Sequence, residues 1–197
     1  MIAAMARQLW LAFAYWRLRP LWAVLLSAAP YVQLAVPLRP WVGLRFRLLR
    51  RVIEIRDAEL ALRSYWRRDI ADQVQAAARS AGLSPTLERA VVEAAVVVNA
   101  AAARLNGMPP SDLPAEDVCD TSGDDLSAEA ARLIRVSWAF RHCPIVRDVV
   151  RPVALPGWLR RAQLRRRGRP ASGDGLQAGG RLRQQRIEEQ PERWRGH

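Results

Sequence analysis

Residues 86–106, TLERAVVEAAVVVNAAAARLN, constrain this chain more than any other stretch, because read at helical period they are apolar on most sides. Leu87, Val91, Ala95, Val98, Ala102 and Leu105 form one row, and Val92, Val96 and Val97 flank it. A helix of that kind belongs at the centre of a bundle, so the rest of the chain has to supply helices that enclose it. Its limits are written in the sequence: Ser84 is a capping residue, Pro85 suits the first helical position, and Asn106-Gly107 ends the run. Glu93 and Asn99 are its polar interruptions. Such a buried pair is expected to be a hydrogen-bonded specificity device rather than a catalytic one.

The flanking segments carry helical patterns too. From about Trp41 to Tyr65, Leu44, Leu48, Val52, Ile55 and Leu62 recur at steps of three and four, while Arg47, Arg50, Arg51, Glu54 and Asp57 take the opposite side. This predicts an amphipathic helix with a solvated charged face. Arg50 with Glu54 and Glu59 with Arg63 stand four apart, each pair worth roughly 0.2–0.5 kcal/mol at a surface. Asp69 is the expected N-cap of a helix ending near Ala81, with the stripe Ile70, Val74, Ala77 and Ala81 and with Gly82 as its left-handed stop. Another helix reads DLSAEAARLIRVSWAFRHC from about Asp125 and stops at Pro144, after which Ile145 to Val150 is expected to dock back on the bundle. No alternation of period two appears, so the predicted fold is all-α, a small bundle of four to five helices.

The ends differ from this middle. Ile2 to Trp16 shows a stripe of Ile2, Met5, Leu9, Phe13 and Trp16, too short to span a bilayer. Residues 20–38 form a charge-free run of nearly spanning length, but Pro30, Pro37 and Gln33 argue against a transmembrane helix. Arg17 and Arg19 break any secretory-signal pattern. Trp10, Trp16, Trp22 and Trp41 are interleaved with Arg7, Arg17, Arg19 and Arg39, a mixture suited to a membrane-water interface; filling a helical core or a dimer contact is the other reading. Residues 1–38 are therefore set apart as an apolar connector and residues 39–151 as the bundle. Within the bundle, 107–125 form a loop with six acids and no basic residue between Met108 and Asp125. That loop lacks the residue order of a helix-loop-helix calcium site.

All 31 basic residues are Arg, and the net charge is +12. The excess is concentrated in residues 152–197, an Arg-, Gly- and Gln-rich tail expected to be disordered alone. Its Arg160, Arg161, Arg165, Arg166, Arg167 and Arg169 are the candidate contacts for an anionic surface, at roughly 1 kcal/mol each near acidic lipid. Two His, two distant Cys and no acid-base cluster give no catalytic constellation, no metal-ligand spacing and no expected cofactor. A reducing compartment fits this cysteine usage.

The segments LWAVLLSAAPYVQLAVP (21–37), RRVIEIRDAELALRSY (50–65) and AARLIRVSWAFRHCPIVRDVV (130–150) resemble counterparts in an actinobacterial family of multi-pass membrane proteins labelled as transporters. The resemblance is most specific at VIEIRD. It implies kinship to a cytoplasmic helical domain of unknown function that follows about seven transmembrane helices, here without those helices, and it carries no binding or catalytic residues. The functional expectation is a non-enzymatic interaction or regulatory module, cytoplasmic and peripheral to the inner membrane face, with a protein partner, an anionic membrane surface and self-association as its contacts. The alternative is sequence-nonspecific nucleic-acid binding through the Arg-rich tail, against which stands the lack of a polar recognition helix.

Overall fold

The computed structural model describes residues 2–35, 42–111 and 125–150, all within one compact unit. They form six α-helices: α1 (Ile2–Ala28), α2 (Leu44–Ala61), α3 (Arg68–Ser80), α4 (Pro85–Leu105), α5 (Leu126–His142) and α6 (Pro144–Val150). Short 3-10 turns stand at Pro30–Val32 and Arg63–Tyr65. The described residues contain no strand, and the chain is all-α.

At the centre lies α4, as its composition requires. Every residue from Glu93 to Ala103 is buried, and α1, α3, α5 and α6 all pack on it. Pro85 supplies a preset φ at the first position, and the Glu88 N–H reaches the Ser84 carbonyl at 2.8 Å, although the Ser84 hydroxyl makes no cap bond. The other end closes on Gly107 at φ +67°: the Met108 N–H bonds the Ala103 carbonyl at 3.0 Å and the Gly107 N–H bonds that of Arg104 at 3.0 Å. Gly82, also at φ +67°, terminates α3 in the same way through Leu83 N–H on Ala78 and its own N–H on Arg79.

Two expectations about element limits are corrected. The start of α3 is Arg68, with Arg67 at the N-cap; Asp69 is the second helical residue, where its carboxylate receives Arg67 Nε at 3.0 Å and Nη2 at 2.6 Å. Its buried face is Val74 and Ala78 with Ile70 and Ala71 alongside, while Ala81 is exposed. The larger correction is α1, which continues from the Ile2–Trp16 stripe through Pro20 to Ala28 as one helix. It packs on α2, α4 and α5, and Leu11, Ala14, Leu18, Leu21, Val24 and Leu25 belong to the common core. A helix-interior proline costs about 3 kcal/mol, but burying several large aliphatic side chains, at roughly 1.5–3 kcal/mol each, outweighs that. Among the described residues no helix is long and apolar enough to cross a membrane.

The α6 segment docks as expected, with Val146 buried and Ile145 and Val149 against the core. The tail with its six candidate arginines, Trp41 and most of the acidic loop (112–124) lie outside the described residues.

Candidate functional site

The site begins with an inversion on α2. Its apolar row behaves as expected, with Leu48, Val52, Ile55 and Leu62 buried. The charges do not form a solvated face: Arg51, Glu54 and Glu59 are buried, and Arg47, Arg50 and Arg56 are half-buried. The exposed side instead shows Phe46, Leu49, Ile53 and Leu60, with Arg45 and Asp57 between them. Helical period alone separates two faces, whereas α2 packs against α1 on one flank and α5 on the other. Its polar residues at the flanks are covered by those neighbours.

On the α5 flank, Glu59 is buried and its carboxylate oxygens make no hydrogen bond. Arg132 Nη2 stands 3.7 Å and Arg56 Nη1 3.9 Å from Glu59 Oε2, within ion-pairing range only. Arg132 donates instead to Glu129, from Nε at 3.0 Å and Nη2 at 2.8 Å, and to Glu93 through Nη1. Arg56 also lies 3.5 Å from Glu129. Glu59, Glu93 and Glu129 face Arg132 and Arg56, and Arg135 also acts on Arg132. Desolvation pushes the Glu59 carboxyl up to about 7, with Arg132 and Arg56 opposing and Glu129 reinforcing. Burial likewise pulls the Arg132 guanidinium below its ordinary value. The cluster ties α2, α4 and α5 together, and through it Glu93 acquires the buried polar role expected of it.

On the α1 flank, Arg51 is held between two rings, its guanidinium carbon 3.7 Å from the Tyr15 centroid and 4.8 Å from that of Trp22. Its Nη1 donates to the Tyr15 carbonyl at 2.5 Å. Burial, with Arg19 adding repulsion, lowers this guanidinium from its ordinary value. Glu54 accepts Trp22 Nε1 at 2.7 Å on one oxygen, and Leu34 N–H at 3.2 Å and Arg50 Nε at 2.9 Å on the other. Arg51 and Glu54, with Tyr15, Trp22, Gln33, Arg47 and Arg50, line an open cleft of about 270 Å³.

The third feature is the outer face of α1. Ile2 is 88% exposed, Met5 65%, Leu9 65%, Phe13 51% and Trp16 61%, so the stripe recognised in the sequence faces outward. Arg17 lies over the Phe13 ring at 5.3 Å and Arg19 over Trp16 at 5.7 Å. The structure therefore divides the candidate interface tryptophans. Trp16 stands on the exposed face, Trp10 packs against the core, and Trp22 is turned inward with its indole N–H on Glu54. The Arg51 cleft and the apolar outer face of α2 were missed by sequence reasoning; the signal that could have found the latter is the 3-4-7 spacing of Phe46, Leu49, Ile53 and Leu60.

Residues 6–142 match a family of unknown function, DUF6545. No curated protein and no solved structure matches the chain. The matched span runs from the first third of α1 to the last residue of α5 and includes both buried charge clusters and the cleft between α1 and α2. The chain is thus a member of the DUF6545 family of unknown function.

Proposed function

We propose that this protein is a non-enzymatic interaction module that works at the cytoplasmic face of a membrane, with α1 lying on an anionic lipid surface and the bundle presented to a protein partner. The observation that carries this reading is the exposed stripe Ile2, Met5, Leu9, Phe13 and Trp16. Five large apolar side chains on one side of a single helix are each more than half exposed, and grouped exposed apolar surface of this kind marks an interaction site. Arg7, Arg17 and Arg19 supply cations on the same helix, and an indole beside a guanidinium suits headgroup depth. Kinship to a domain that follows transmembrane helices, as the segment resemblances imply, agrees with this placement. The outward apolar side chains of α2 are the surface offered to the protein partner.

The test is co-sedimentation of the full chain with anionic and neutral vesicles at low and high salt, alongside the double variant Leu9→Gln, Phe13→Gln. Because both side chains are exposed, the variant is expected to keep its stability within about 0.5 kcal/mol and to lose most vesicle binding at high salt. Unchanged binding by the variant, or no binding by the parent chain, overturns the reading. A version lacking residues 152–197, assayed with nucleic acid as well as vesicles, shows whether the Arg-rich tail is a sequence-nonspecific nucleic-acid binder instead.

A further inference from the structure

The exposed residues of α2 are Arg45, Phe46, Leu49, Ile53, Asp57 and Leu60, and at about 100° per residue they fall within an arc of about 120°. The apolar ones range from 38% exposed at Leu49 to 67% at Leu60. Arg45, Leu49, Ile53 and Asp57 stand four apart and so form one ridge, about 18 Å from first to last. Its order is cation, apolar, apolar, anion. Neither Arg45 nor Asp57 makes an ion pair or a side-chain hydrogen bond among the described residues. A ridge of that order is self-complementary: turned end for end about a point midway between Leu49 and Ile53, it sets each charge opposite its counterion and each aliphatic side chain opposite the other. The four-residue ridge is also the one that packed helices most often use, crossing at about 50°. An anionic lipid surface fits this face poorly, because Asp57 stands on it between Ile53 and Leu60.

We propose that this face of α2 is a two-fold dimer contact, with its ridge laid antiparallel against the same ridge of a second copy of the chain. Arg45 of each copy then meets Asp57 of the other, Leu49 packs against Ile53, and Phe46 and Leu60 cover the two ends. The inference rests on reading this face as the surface offered to a protein partner, and it names that partner. Because the face is small, the pairing belongs to the weak end of specific interfaces. The chain's net charge of +12 opposes it until salt screens the repulsion. The contact does not use the outer stripe of α1, so lipid binding and self-association can fail separately.

The experiment is sedimentation velocity of the full chain over a concentration series in about 0.15 M salt, where exposed charges more than about 8 Å apart are largely screened. The parent is expected to pass from monomer to dimer as concentration rises. Arg45→Asp and Asp57→Arg each set like charges at both ends of the contact, and each is expected to weaken dimerisation about tenfold. Mixed in equal amounts, the two single variants regain opposite charges at both ends, as does a chain carrying both changes; dimers should return in either case. Both residues are exposed, so the variants are expected to keep the parent's helix signal and melting temperature. Recovery by charge exchange is a readout that a loss of folding or solubility does not give. A parent that stays monomeric throughout overturns the contact, and vesicle binding by that monomer leaves the membrane-face reading standing. A dimer that persists in both single variants, or that Leu9→Gln, Phe13→Gln abolishes while they keep it, also overturns the contact. A dimer that obeys the charge exchange yet binds no vesicles supports the contact and overturns the membrane placement alone.

Discussion

Glu59 shows how one side chain can make the stability of a whole bundle depend on pH. Its folded-state value of about 7 lies above the ordinary carboxyl value, so the folded protein binds this proton more tightly than the unfolded chain does. The contribution is complete below about pH 4 and is lost as pH rises toward and through 7, by an amount on the order of 3 kcal/mol. Replacement by Gln imitates the protonated carboxyl. Glu59→Gln is therefore expected to flatten the dependence of the urea midpoint between pH 5 and 8 and to exceed the parent at pH 8; an unchanged slope would show that the titrating group lies elsewhere. Arg132 gives the converse case. It donates to Glu129 and Glu93 and faces Glu59, so Arg132→Leu strands buried carboxylates and should cost about 3–5 kcal/mol in denaturant unfolding at pH 8. The cost should shrink at pH 5, as Glu59 becomes neutral.

Element limits were written plainly where backbone chemistry sets them. Gly82 and Gly107 stop α3 and α4 at the expected places, each in the left-handed region with nothing within 4 Å of an added Cβ. Ala at either position should cost about 1 kcal/mol from conformation alone, read as a small drop in melting temperature. The apolar surround of α4 equally announced its central place. What could not be read was which neighbours cover the flanks of α2. A period of 3.6 tells inside from outside only when one helix face meets one partner; Arg51, Glu54 and Glu59 are buried because α1 and α5 approach from two sides. The same limit hid the cleft, whose residues come from two helices and the chain between them. Pro20 is tolerated inside α1 because its local cost is overridden by long-range burial.

At the scale of the whole molecule, α1 is a wall of the bundle and also carries an exposed apolar face. Deleting residues 1–38 therefore should not release an intact bundle, as removal of a connector would; the remainder should lose its cooperative thermal transition by circular dichroism. The membrane-face reading consequently has to be tested by point substitutions on the outer stripe. One contact sets a timetable for synthesis. The Ser137 hydroxyl donates to the Arg17 carbonyl at 2.7 Å, joining residues 120 apart. On a ribosome adding about 5–20 residues per second, α1 emerges roughly ten seconds before the part of α5 that closes over it. Throughout that interval the inner side of α1 lacks the part of its cover that α5 supplies, so the core it belongs to closes only late in synthesis.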